Sequence, residues 1–246
     1  MQLVQSYLTN NPFYQRNVNK VDGRYTTFQE RGPLGGILHS VGCAQPSAQV
    51  FINNWNKPGY TTACVHGFID ANTGVVHQTL PWNFRGAHAG KAAGNDTMLG
   101  VEMCESKWIR YRTDKPWLFT VLDLEQAQAD CRRTYEAAVE LFAMLAGQWK
   151  WDPDRDIISH KEGGLRGVAS GHTDPEHFWE GLSMPYTMKG FREDVKKAMR
   201  DQMSEIENQE GVLYCVQVGA FRRKDYAEAY LEDVRRHYPQ AYITKK

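Results

Sequence analysis

Residues 157–175 read Ile157-Ile158-Ser159-His160-Lys161-Glu162-Gly163-Gly164-Leu165-Arg166-Gly167-Val168-Ala169-Ser170-Gly171-His172-Thr173-Asp174-Pro175. The opening is short, apolar and β-branched, which predicts a buried strand ending on His160. A glycine-punctuated stretch then carries His172 and Asp174, the latter before a proline and so biased towards extended backbone. Far upstream, Gly35-Gly36-Ile37-Leu38-His39 predicts a second short buried strand that also ends on a histidine. Two imidazoles on rigid strand ends and one carboxylate make a three-ligand set that leaves zinc's fourth position open for water, the mark of a catalytic site. Only a folded domain can assemble residues so remote in sequence. His172 competes with Asp174 for the third place, with Asp174 then standing behind it. Each histidine taken alone reads as an ordinary hydrogen-bonded imidazole; the combination is what points to a metal.

Around these strands the pattern is that of an α/β domain. Ala63–Asp70 has strand composition, Asn72-Thr73-Gly74 signals a turn, and Val75–Gln78 returns as a hairpin. Leu99–Cys104 is a further apolar strand interrupted by one acid, Glu102, which is costly to bury without a partner or a task. From Asp123 the period changes: Cys131, Tyr135, Ala138, Phe142, Leu145 and Trp149 mark one face of a long helix, with Asp123 and Gln126 placed to cap its start. A second helix is expected from Tyr186 to about Met203. Residues 1–35 read as an extended lead-in wrapping the domain. The expected boundaries are a catalytic domain over 1–200, a polar linker over 201–210, and a tail over 211–246. In that tail Tyr214, Val216 and Val218 have strand period, 223–237 reads helical, and Ala241–Thr244 reads as a closing strand. Such a β-α-β unit is too small to bury a core alone, so it packs on the domain, pairs with a second copy or is the first half of a longer module.

Composition excludes several classes. With 29 basic and 29 acidic residues the chain has no net charge, hence no basic field for nucleic acid. No run approaches the length of a membrane span. Met1-Gln2-Leu3-Val4-Gln5 lacks the basic-then-apolar order of a secretory signal, so work outside the cell is expected to need another export route. Five cysteines without a CxxC pair argue against a disulfide framework.

The ordered set Ile37–Ser40, Ala63–Ile69, Leu80-Pro81-Trp82-Asn83, Gly86-Ala87-His88-Ala89-Gly90, Gly100-Val101-Glu102 and Ser159–Pro175 resembles the type-2 N-acetylmuramoyl-L-alanine amidases. These zinc hydrolases are related to peptidoglycan recognition proteins, and the stretch from Ser159 to Trp179 is most similar to endolysins of clostridial-type phages. The resemblance, over about residues 30–195, implies a central mixed β-sheet flanked by helices. It also implies one Zn2+ on His39, His160 and Asp174, with Glu102 as the catalytic acid–base. Where relatives often carry a lysine that stabilises the oxyanion, this chain has His172, whose charge depends on pH near neutrality. His66, His88 and Trp82 are expected to line the substrate cleft, while Trp55, Phe84 and Trp108 divide between cleft wall and core, and His77 has no role. The implied partner is bacterial peptidoglycan and the implied reaction is cleavage of the N-acetylmuramic acid–L-alanine amide. The implied setting is synthesis in the cytoplasm and holin-type or other non-classical release. A peptidoglycan-binding module that has lost turnover is the alternative. Leu213–Phe221 resembles the opening of a SPOR domain, of which the tail holds one β-α-β half; this implies wall binding or a homodimer through the tail.

Overall fold

The computed structural model describes residues 1–115, 117–208, 221, 223–237, 241 and 243. Six strands form one mixed sheet in the order β1-β4-β3-β5-β2-β8: β1 (Leu3–Gln5), β2 (Gly35–Ser40), β3 (Gly67–Ile69), β4 (Val76–Gln78), β5 (Met98–Met103) and β8 (Ile157–Ser159). β2 lies between β5 and the edge strand β8, parallel to both, while β3 and β4 make the antiparallel hairpin announced by Gly74. The sheet is therefore the expected α/β arrangement. A separate antiparallel ribbon joins β6 (Ile109–Tyr111) to β7 (Phe119–Val121).

One sheet face carries the main core. Leu38, Leu99, Val101, Met103 and Ile157 are fully buried against α5 (Leu124–Trp149), which presents Cys131, Tyr135, Ala138, Leu141, Phe142 and Leu145. Its start is capped by Asp123, whose carboxylate accepts from the Gln126 N–H, and burying this stripe is the main stabilising contribution. Gly36 permits the close approach, since a Cβ there would stand 2.7 Å from the Phe142 ring. On the opposite face Ile37, Met98, Ala89, Ile158 and Ala169 form a small apolar cluster beside the polar residues described below.

The lead-in is not merely extended. β1 adds a parallel edge strand beside β4, and two helices follow: α1 (Pro12–Val18), capped by Asn11, and α2 (Gly23–Arg31), capped by Asp22. Their apolar signal is weak because each helix buries few residues, chiefly Tyr25 and Phe28 in α2. The remaining helices of this unit include α3 (Ala48–Trp55), α4 (Ala92–Asn95), α6 (Pro153–Asp156), α7 (His160–Leu165) and α8 (Glu176–Gly181). His160 does not end β8: the strand stops at Ser159, and His160 opens α7. Ser159 and Glu162 form a reciprocal capping box there, and Arg192 holds Glu162 from outside at 2.8 Å.

The described residues divide into two compact units, Met1–Ser204 and Glu205–Lys246. α9 (Met188–Asn208) continues helically through much of the stretch read as linker, and α10 (Lys224–His237) matches the helix expected in the tail. The strand read at Tyr214–Gly219 lies outside the described residues, as do Tyr242 and Thr244 of the closing strand. Among the described residues no helix is long and apolar enough to cross a membrane.

Candidate metal centre and cleft

The three remote residues converge. His39 on β2, His160 at the start of α7 and Asp174 are all buried, and one ligand atom from each lies within 4.8 Å of the others. The Nδ1 atoms of His39 and His160 stand 3.0 Å apart, with Asp174 oxygens 3.3 Å from the first and 3.5 Å from the second. Ligands about 2 Å from one tetrahedral zinc would sit roughly 3.3 Å from each other, so the donor set fits that ion. Asp174 is fixed through its backbone, whose carbonyl accepts from the Lys161 N–H on α7.

Hydrogen bonds decide which nitrogen faces the centre. The Met98 carbonyl can only accept, so His88 Nε2, 3.0 Å away, carries a hydrogen. His88 Nδ1 is then a lone pair and accepts from His39 Nε2–H at 3.0 Å, which leaves His39 Nδ1 bare and aimed inward. His160 is held from outside in a similar way, its Nε2 3.1 Å from the Ser170 hydroxyl. Burial lowers the pKa of His39, and more strongly that of His88, so both rings are neutral at pH 7, the form that ligates metals. Burial opposes charge on Asp174, but the His160, His172 and His39 rings around it outweigh that and hold the carboxyl well below its usual range.

His88 was expected on the cleft wall as a substrate contact. It borders the cleft, but its ring nitrogens are spent on Met98 and His39, which makes it a positioning residue for the ligand. Gly100 makes room for it, because a Cβ at Gly100 would meet the His88 ring at 2.4 Å. Replacing His88 with alanine is expected to weaken zinc binding by about 10–100-fold without removing a ligand, measurable by competition with a chromophoric chelator. His66 departs further from expectation. It is fully buried, Nε2 donating to the Phe84 carbonyl at 2.7 Å and Nδ1 accepting from the Gly100 N–H at 3.0 Å. No ring nitrogen is left for a substrate; burial lowers its pKa to about 4, which keeps this strut neutral.

Trp82 packs on the main core over Gly67 and is absent from the cleft lining. Trp55 and Phe84 belong to a second core cluster, and Trp108 is exposed with Lys107 over its ring. His77 bonds Ser6 at the sheet edge. His172 is exposed and lies parallel over His160 at 4.2 Å, its Nδ1 3.6 Å from Asp174. It therefore stands at the rim of the centre, and Asp174 occupies the buried third place.

Glu102 is the register partner of His39 across β2 and β5, so both side chains leave the same sheet face. Its Oε2 is shut off from solvent with no hydrogen-bond partner, and burial, then Asp174 and Glu105, push its pKa well above the ordinary range. Nearby is a network that sequence reasoning missed. Glu105 is fully buried, bonded by the Gly42 N–H and by the Tyr111 hydroxyl at 2.7 Å; Tyr111 in turn accepts from His177 Nε2 at 2.7 Å. The uninformative spacing of these residues, on a loop, a ribbon and α8, explains the miss. Burial raises the Glu105 pKa from 4.5 to about 7. A raised carboxyl pKa stabilises the fold below the unfolded value, and that contribution is lost as pH rises through about 7. With chelator present, the wild-type protein should therefore lose up to roughly 3 kcal/mol relative to Glu105→Gln between pH 4 and 8, read by denaturant titration.

A cleft of about 580 Å3 opens beside the centre, bordered by His88, His160, Ser170 and His172. Of the centre itself His160 reaches this groove, with His172 at the rim, while His39, Asp174 and Glu102 lie behind its lining.

Residues 30–177, well over half of the sequence, match the family described as N-acetylmuramoyl-L-alanine amidase, Amidase_2. The chain belongs to this family. Among solved structures it is similar to Staphylococcus aureus hydrolase AmiA in complex with its ligand, with a TM-score of 0.60 and 16% identity over 83% of this chain and 86% of that one. It is also similar to the catalytic domain of XlyA, with a TM-score of 0.51 and 20% identity over 79% of this chain and 99% of that one. The PlyG catalytic domain gives a TM-score of 0.51 at 16% identity, over 81% and 96% of the two chains. At these identities the likeness speaks for the fold. No curated protein sequence matches the chain. The amidase match ends at residue 177 and so does not reach the tail.

Proposed function

We propose that this amidase-family chain is a zinc-dependent N-acetylmuramoyl-L-alanine amidase cleaving the amide between N-acetylmuramic acid and L-alanine in bacterial peptidoglycan. The observation that carries the reading is the convergence of His39 Nδ1, His160 Nδ1 and Asp174 beside the unpartnered Glu102 carboxylate. Bound there, zinc would supply Lewis acidity towards the scissile carbonyl and the attacking water. Glu102, with its raised pKa, takes a proton from the water and returns it to the departing amine nitrogen. His172, exposed at the cleft rim, donates a hydrogen bond to the tetrahedral oxyanion. His88 holds the His39 ring in the required tautomer, and Ser170 holds the His160 ring in place.

Within this proposal the chain is a lytic enzyme of the phage or prophage endolysin type, released to the wall by a holin or another non-classical route. Its 211–246 tail binds wall glycan or pairs with a second copy as a half-SPOR unit. The support is the stretch from Ser159 to Trp179 for the first and Val216–Phe221 for the second. Mass spectrometry of digested peptidoglycan tests the reaction. Stem peptides with a free L-alanine amino terminus and intact glycan strands are expected; new reducing ends, or binding without release, would overturn it.

A further inference from the structure

One wall of the cleft is cationic and comes from the N-terminal helices. Arg16 on α1 and Arg24 on α2 both line it, and both precede the segment that matches the family. Arg85 lines it too, but is already neutralised: its Nε lies 2.5 Å from Asp96 and its guanidinium covers the Tyr25 ring at 5.1 Å. Arg24 reaches the same Asp96 only at 3.9 Å, with its side chain 63% exposed. Among the described residues Arg16 has no ion pair, its guanidinium resting over Phe13 at 5.4 Å. Asp22, the acid on this wall, is committed to capping α2 by accepting from the N–H groups of Arg24 and Tyr25. The cleft that meets His160 and His172 therefore also carries Arg16, without an ion pair among the described residues, and Arg24, held to Asp96 only at long range.

Resting on the amidase reading, we propose that Arg16 and Arg24 bind a free carboxylate of the stem peptide, so that the protein selects acidic over amidated substrates. The N-acetylated sugars of the glycan are uncharged, so the anion available beside the scissile amide belongs to the peptide. A planar guanidinium fork matches a carboxylate in two parallel hydrogen bonds, which an amide cannot reproduce because it presents only one acceptor oxygen. Exposure keeps each contact modest, and the pair acts chiefly on binding and encounter rather than on the chemical step.

The test uses two N-acetylmuramoyl peptides identical except that the residue after L-alanine carries a free carboxylate or its amide. The intact protein is expected to cleave the acid about tenfold more efficiently, through KM, with the preference shrinking as salt rises. In the double variant Arg16→Ala/Arg24→Ala the ratio should fall to about one, and Arg16→Lys/Arg24→Lys should restore part of it. Equal efficiencies on acid and amide in the wild type, or an unaltered ratio in the alanine variant, would overturn the assignment. Calorimetric binding of the same peptides to Glu102→Gln separates the two readings. If nothing is cleaved by the wild type, the amidase reading fails, while an acid preference in binding that vanishes in the arginine variant still upholds the carboxylate site.

Discussion

Glu102→Gln is expected to cut turnover on peptidoglycan by roughly 10²–10⁴-fold, the usual loss on removing a general acid–base, while zinc content stays at the wild-type level. The substitution keeps side-chain shape and hydrogen-bonding capacity but removes the proton-accepting charge. It also separates a catalytic carboxylate from a structural one. A glutamate holding a salt bridge would leave a cation stranded and destabilise the fold when neutralised. Glu102 has no cation partner among the described residues, its Oε2 is unbonded, and Asp174 and Glu105 repel it. With its folded pKa raised, the charged form weakens the native state, and that loss grows as pH rises through the raised value. Glu102→Gln should therefore melt no lower than wild type, and higher at alkaline pH, in chelator-treated protein. On the rate side the sign is opposite: wild-type activity should fall as pH drops through the same raised pKa, because protonated Glu102 cannot accept. A variant that loses stability together with activity would assign Glu102 to the scaffold.

The pieces legible in sequence were those where one residue type has one physical use. The spacing of Cys131, Tyr135, Ala138, Phe142 and Leu145 leaves no option but a helix on a sheet, and that is where α5 lies. His39, His160 and Asp174 could be picked out because two imidazoles and a carboxylate beside apolar runs have few bland explanations together, and the fold does bring them within reach of one ion. What stayed hidden depends on backbone groups that every residue carries. The tautomer of His39 is set through His88 by the carbonyl of Met98, and His66 is immobilised by the Phe84 carbonyl and Gly100 N–H. Nothing in the identity of Met98 or Phe84 announces those bonds. The N-terminal helices were missed for a different reason: their caps, Asn11 before Pro12 and Asp22, are clear signals, but so few of their residues are buried that the apolar period is faint. That same exposure leaves Arg16 and Arg24 open to the cleft.

Alanine in place of His39 should abolish stoichiometric zinc binding and bring activity to background, the largest effect expected of any single change. The ring is 1% exposed and is held by His88, so its nitrogen is not readily replaced by solvent. Removing it leaves His160 and Asp174 as a two-ligand remnant, and strands the His88 Nδ1 lone pair. Stability gives a readout free of turnover. An ion that binds only the folded chain stabilises it by about 4 kcal/mol at a thousandfold excess over its dissociation constant. Wild-type protein should thus show a zinc-dependent rise in melting temperature that chelator reverses, and His39→Ala should show none. Asp174→Asn sharpens the point. It keeps the volume and one carbonyl oxygen while deleting the charge that His39, His160 and His172 stabilise, so it should bind zinc weakly rather than not at all. Were His39→Ala to retain one tightly held zinc and the full thermal shift, the ion would have to be seated elsewhere, and the convergence of these three side chains would be a packing arrangement without a metal.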